Sequence, residues 1–310
     1  MVDATGVAVK PAVAQAAPSD PSKTSGAMKV TAPFMISPMQ DRDRWLKMLV
    51  YAKHGVGKTE LMGSAVDVAQ MRDVIMIDAE KGDLTLMDSD RIKNPGLISH
   101  IQVDNFKQVV FIQEFLRAYC NARDKADIKK MSELYRMVSG IETDTPPQYR
   151  TVIIDTATEV EAYCQYQILK IDDTKVLKDD DGMDVAGWPE FRKNLEMVKL
   201  MIRHFRDLPM NVLVACSEGY TQDENKRYHY SPAMTGKLGS QIQGFFDIVG
   251  WITTGPAPAD GGSAPRRMYV QPVGGGPRFD AKNRRSSYKE AYFENPSMES
   301  IMRGIGLLKA

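Results

Sequence analysis

The sequence predicts an α/β protein whose mostly parallel sheet is flanked by helices and finished by antiparallel strands near the C-terminal end. Three observations predict it. Between Leu46 and Cys216, short apolar runs alternate with helix-length segments. Those runs are apolar throughout, as strands buried on both faces are. After Gly244 the texture shifts to short runs divided by Thr254-Gly255-Pro256 and Gly274-Gly275-Gly276-Pro277, turn chemistry that suits hairpins extending the sheet.

The elements follow in order. Leu46 to Tyr51 reads as a strand and Thr59 to about Arg72 as a helix. Val74 to Ile77 is a second strand. Phe106 to about Asn121 has amphipathic helical spacing, and Ala126 to Val138 is a further, highly charged helix. Thr151 to Ile154 is the third strand, with a helix from Glu159 to Lys170 behind it. Pro189 to about Asp207 is a long helix, and Asn211 to Cys216 the fourth strand. Ile248 to Thr253, Arg267 to Val273 and Ser286 to Phe293 are the later strands. There is no internal repeat.

The bulk properties bound the function. The 310 residues are 43% hydrophobic and 26% charged, a globular composition. Forty basic and forty acidic residues give no net charge, so a polyanion must be met by a local patch. Three cysteines without a C-x-x-C spacing, Cys120, Cys164 and Cys216, predict free thiols in a reducing compartment. The four histidines are scattered, which predicts no structural zinc. The absence of a long apolar run predicts no membrane span or signal peptide, hence a cytoplasmic protein. Residues 1–40 read as a disordered Ala/Pro/Ser-rich tail and lead-in, with no aromatic before Phe34. Residues 41–310 read as one domain with a C-terminal hairpin extension.

The chemistry is concentrated in Ala52-Lys53-His54-Gly55-Val56-Gly57-Lys58-Thr59, which lies between the first strand and a helix. Such a glycine loop wraps phosphates with backbone N–H groups. The spacing assigns Lys53, His54, Gly55, Val56, Gly57, Lys58, Thr59 and Glu60 to the nucleotide. Lys58 reaches the β- and γ-phosphates and the Thr59 hydroxyl binds Mg²⁺. Ala52 stands where the motif has its first glycine, a tolerated change if its φ stays negative. Hydrolysis further needs a carboxylate for Mg²⁺ and one to activate water. Asp155, at the end of Val152-Ile153-Ile154, is the candidate for the metal. Asp78-Ala79-Glu80 ends the second strand, and Glu80 is the candidate base because of its longer reach. Ligands in open α/β sheets sit at the carboxyl ends of the strands, so these groups converge on one edge.

Val74 to Glu80 resembles the segment that carries the catalytic glutamate in RecA-type recombinase ATPases. Val212-Leu213-Val214-Ala215-Cys216-Ser217-Glu218 is similar to that family's sensor strand, with Ser217 or Glu218 where the family has an amide. Ala281-Lys282-Asn283-Arg284 resembles the Lys-Asn-Lys/Arg element of RecA and RadA proteins. The layout from about 45 to 290, with Gly187-Trp188, Thr235-Gly236-Lys237-Leu238 and Phe246-Asp247-Ile248-Val249, is similar to phage-encoded RecA-like ATPases of recombination and single-strand annealing. The resemblance implies a RecA-like P-loop NTPase fold, ATP and Mg²⁺ as cofactors, and a head-to-tail oligomer. It also implies that Lys282 and Arg284 complete a neighbour's site in trans; the alternative is a solvated basic turn.

Two segments offer contact with single-stranded DNA. Thr221 to Lys237 follows the sensor strand, where the family places a mobile DNA-binding loop. It interleaves Lys226, Arg227, Tyr228, His229, Tyr230 and Lys237, and rings stack on bases while cations follow phosphates. An ordinary polar hairpin is the alternative. Residues 261–289 hold seven basic residues, Arg266 among them, against one acidic residue. The aspartate-rich stretch 171–184 reads as a surface loop, and Trp188 as a core or interface anchor. The expected function is a DNA-stimulated ATPase of recombination, annealing or repair, with other recombination or replication proteins as further partners. A replicative motor or loader, a nucleotide-gated binding module and a small-molecule kinase are the alternatives.

Overall fold

The computed structural model describes residues 45–171, 186–257, 264–285 and 287–308. The expected tail over 1–40 and nearly all of the aspartate-rich stretch lie outside them. The strands are β1 (Lys47–Ala52), β2 (Val74–Asp78), β3 (Ile98–Gln102), β4 (Thr151–Asp155), β5 (Asn211–Gln222), β6 (Tyr228–Pro232), β7 (Ile248–Thr254), β8 (Arg266–Tyr269), β9 (Arg278–Phe279), β10 (Lys282–Asn283) and β11 (Tyr292–Glu294). They join in one sheet whose main path runs β11-β8-β7-β1-β5-β4-β2-β3. The stretch from β7 to β3 is parallel throughout. β8 is antiparallel to β7, β11 to β8 and β10 to β7. The α/β class and the antiparallel C-terminal extension are therefore as expected.

Helices cover both faces: α1 (Lys58–Gly63), α2 (Asp83–Met87), α3 (Phe106–Asp124), α4 (Ile128–Ser139), α5 (Ala157–Leu169), α6 (Trp188–Arg206), α7 (Leu238–Ile242) and α8 (Met298–Gly304). On one face Val109, Phe115, Val160, Val198 and Phe205 pack with Ile77, Val152 and Val214. On the other, Leu61, Met62, Met298 and Ile301 pack with Met48, Met76, Ile153 and Ala215. β1, β2 and β4 are buried almost end to end, because each lies between two strands and under two helical layers. β3 is the edge strand and only partly buried. Its Ile98-Ser99-His100-Ile101-Gln102 is not an apolar run, which is why the sequence does not mark it.

Several expectations are corrected. The helix after the phosphate loop ends at Gly63, followed by a 3₁₀ turn over Ser64–Asp67. Ser64 Oγ donates to Leu61 O at 2.7 Å and accepts from Met298 N at 2.9 Å. Such side-chain bonds compete with helix continuation, and here they tie the end of α1 to α8. The fourth strand runs on from Cys216 to Gln222 because β6 pairs with its outer half. The strand expected over Arg267–Val273 is Arg266–Tyr269, and among the described residues of the one expected over Ser286–Phe293 only Tyr292 and Phe293 are in a strand, β11. Trp188 is no core anchor: it opens α6 and is 89% exposed. All three cysteines are buried and free, and burial pushes the Cys216 thiol up to about 12. Among the described residues, no helix is long and apolar enough to cross a membrane.

Candidate functional site

β1 delivers the phosphate loop. Ala52 is the last residue of that strand, where extended backbone suits any residue, so the missing first glycine leaves no strain. Gly55 and Gly57 take φ of +76° and +96°, the left-handed region that glycine enters without a Cβ penalty. Lys53, His54 and Gly55 are exposed and Val56 and Gly57 half-buried. Lys58 is buried, and its Nζ donates to Ala52 O at 3.3 Å and Lys53 O at 3.4 Å. The ammonium is thus folded against the loop's own carbonyls.

Beside it lies the end of β4. Thr59 Oγ1 donates to Asp155 Oδ2 at 2.5 Å. Asp155 is 1% exposed, and its Oδ1 is buried without a hydrogen-bond partner among the described residues. Burial pushes this carboxyl up to about 6; the Thr59 hydroxyl opposes that rise and the Glu80 charge adds to it. The Asp155–Thr156 peptide is cis. An orphaned buried carboxylate oxygen beside a hydroxyl is the donor set that a hard divalent cation takes, so Thr59 and Asp155 fit the Mg²⁺ role.

Glu80 is held on the same edge. Thr156 Oγ1 donates to Glu80 Oε1 at 2.8 Å. The Glu80 N–H donates to Asp78 Oδ1 at 3.1 Å, and the other Asp78 oxygen meets His100 Nε2 at 2.9 Å. Ala79 N donates to Asp155 O at 2.7 Å, and Tyr163 OH to Ala79 O at 3.0 Å. Asp78 is fully buried, so it is an internal post for the turn that carries Glu80. The fold thus gathers Lys58, Thr59, Glu80 and Asp155. His100 and Tyr163 were not legible as part of this edge, since their only sequence signal was a polar residue in a strand or helix.

Lys282 and Arg284 are not brought to the loop of their own chain. Lys282 pairs with Val249, which pairs with Leu49, three residues before Ala52 and roughly 10 Å back along the strand. Lys282 Nζ donates to Gln243 O at 2.8 Å and Arg284 Nη2 to Gly244 O at 3.0 Å. Arg266, expected only as part of a basic stretch, is instead the arginine beside the loop: Nη1 donates to Glu60 Oε2. Of the two sensor candidates, Glu218 is already engaged, its Oε2 accepting from Trp251 Nε1 at 2.6 Å. Ser217 alternates onto the face of Leu213 and Ala215, which pack with α1.

The segment expected as a mobile loop after the fourth strand is a β5–β6 hairpin. Its turn is tied by Asp223, whose Oδ1 accepts from Asn225 and Arg227 N–H groups. Lys226, Arg227, Tyr228 and Lys237 are exposed and Tyr230 half-buried. Tyr220, 66% exposed, meets Tyr228 edge-on at 5.5 Å. The ladder continues from Tyr228 to Tyr230 at 6.4 Å and from Tyr230 to Trp251 at 5.1 Å. A cavity of about 780 Å³ lies between β6 and the glycine turn, lined by Arg227, Tyr228, His229, Tyr230 and Arg278.

Comparison with known proteins gives one family. The model described as an AAA domain matches residues 44–285. No curated protein matches the chain. Among solved structures, the crystal structure of the RadB recombinase aligns over 72% of this chain and 78% of that one, at 14% identity and a TM-score of 0.33. Within the sheet the loop strand and the Asp155 strand are separated by β5, and the antiparallel strands stand beyond β7.

Proposed function

The chain belongs to the AAA domain family, and on that premise we propose that it binds ATP with Mg²⁺, hydrolyses it, and acts on single-stranded DNA in recombination, annealing or repair. The convergence of Lys58, Thr59, Asp155 and Glu80 at the carboxyl ends of β1, β4 and β2 carries this reading. Lys58 leaves the loop carbonyls to meet the β- and γ-phosphate charge. Thr59 and Asp155 would hold Mg²⁺, which would supply positive charge against the negative charge of phosphoryl transfer. Glu80 accepts a proton from the attacking water at its carboxylate, with Thr156 fixing the side chain. The backbone N–H groups of Lys53, His54, Gly55, Val56, Gly57 and Glu60 supply the rest of the nucleotide cradle.

The β5–β6 hairpin supports the polynucleotide partner. Lys226, Arg227 and Lys237 offer cations, and Tyr228 and Tyr230 offer rings beside a cavity. Lys282 and Arg284 lie away from their own loop, and we assign them to a neighbour's site in a head-to-tail oligomer. We further propose a phage-type protein, supported by the resemblance of the 45–290 layout to phage-encoded RecA-like ATPases, that works in the cytoplasm. The test is steady-state ATP hydrolysis with and without single-stranded DNA, with Lys58→Ala as the blank. Stimulation by DNA that Lys58→Ala abolishes is expected. Hydrolysis indifferent to DNA would redirect the search to a protein or small-molecule partner.

A further inference from the structure

Arg266 reaches the phosphate loop from a fixed point. Its N–H donates to Asn295 Oδ1 at 3.0 Å, and its carbonyl accepts from Asn295 N at 2.6 Å. The side chain then crosses to α1. A Cβ added at Gly57 would fall on the guanidinium, so glycine at that position leaves the room Arg266 fills. Nη1 is given to Glu60 Oε2, while Glu60 Oε1 accepts from Ser89 Oγ at 2.6 Å and lies 3.9 Å from Arg91. Arg266 Nε is buried with no partner among the described residues. A cavity of about 310 Å³, lined in part by Glu60, Ser64, Arg91, Arg266 and Asn295, adjoins the pair and gives the guanidinium space to turn.

Charge argues for a role beyond packing. Glu60 directly follows Lys58-Thr59, so an unpaired carboxylate there would repel a polyanion seated in the loop. Arg266 is the cation in direct contact with it, while Arg91 stands 3.9 Å from the other oxygen. We propose that Arg266 is a nucleotide-binding residue acting within its own chain. Glu60 holds the guanidinium while the loop is empty, and the phosphates take it over when nucleotide binds. Arg266 approaches Gly57 and Glu60 rather than Asp155 and Glu80, so it serves the inner phosphates, which ATP and ADP share. The inference rests on the ATP reading above.

The experiment is equilibrium binding of ATP and of ADP, followed by fluorescence of a labelled nucleotide, for wild type, R266Q, R266K and E60Q, with urea unfolding of each. Loss of a charge-assisted contact is expected to weaken both nucleotides alike, by roughly tenfold in R266Q and less in R266K. E60Q frees the guanidinium and is expected to tighten both. R266Q within about twofold of wild type, or E60Q weakening binding in parallel with lost stability, overturns the proposal and leaves a pin between β8 and α1. If R266Q does not fold, R266K and E60Q decide by the same criteria. Wild type that binds neither nucleotide overturns the ATP reading as well.

Discussion

Replacing Asp155 by asparagine separates two consequences of burying a carboxylate at the end of β4. In the absence of nucleotide and metal its pKa is raised from 3.8 to about 6, burial being the largest cause. A rise of roughly two units at 1.36 kcal/mol each corresponds to about 3 kcal/mol between the two protonation states. The folded pKa lies above the unfolded one, so the fold binds the proton more tightly. The contribution of Asp155 is therefore fully present below the unfolded value of 3.8 and is lost as pH rises through about 6. The asparagine of the variant cannot ionise. The stability difference, D155N minus wild type, is expected to grow by about 2.5 kcal/mol between pH 4 and pH 7.5. An unpaired amide N–H adds a constant offset of about 1–3 kcal/mol against the variant, but no pH dependence. Urea unfolding of both proteins in EDTA across that range measures the difference. A difference flat to within about 0.5 kcal/mol would refute the argument that burial governs this carboxylate.

Two further outcomes follow from the geometry. Glu80→Gln keeps the acceptor for Thr156 Oγ1 but removes the base, so hydrolysis is expected to fall at least ~100-fold while ATP affinity stays within about twofold, a change too small to register as lost binding energy. Phosphate release and nucleotide titration on one preparation check this, and parallel losses of both would count against the role. Tyr228→Ala removes an exposed ring that meets Tyr220 edge-on and stacks with Tyr230. Single-strand affinity should fall by about 1–3 kcal/mol, with the salt dependence kept because the cations remain. Fluorescence anisotropy at several salt concentrations would show it, and unchanged affinity would move the DNA site elsewhere.

The legible parts of this protein are those whose physics is local. A loop that needs left-handed backbone at Gly55 and Gly57 must show glycines there. A strand buried on both faces must be apolar throughout, which makes β1, β2 and β4 readable with Asp78 and Asp155 at their ends. The edge strand β3 faces no such demand and carries no such mark. Helix α1 stops short of the length its spacing suggests because Ser64 is bound by Met298, 234 residues later. A basic stretch could be counted but not divided. Folding sends Arg266 to the phosphate loop and Lys282 and Arg284 to the carbonyls of Gln243 and Gly244.

By itself the sequence determined the α/β class, the phosphate loop and the carboxylates at the strand ends, because backbone sterics and two-sided burial act on neighbouring residues. Only the tertiary structure decided that His100 braces Asp78 from 22 residues away and that Arg266 pairs with Glu60 across 206. Likewise, the supposed loop is a hairpin laid over Trp251. A hydrogen bond or ion pair between distant segments constrains no local pattern of residues, so nothing in the order of the chain records which cation, among forty, the fold will carry to the phosphate loop.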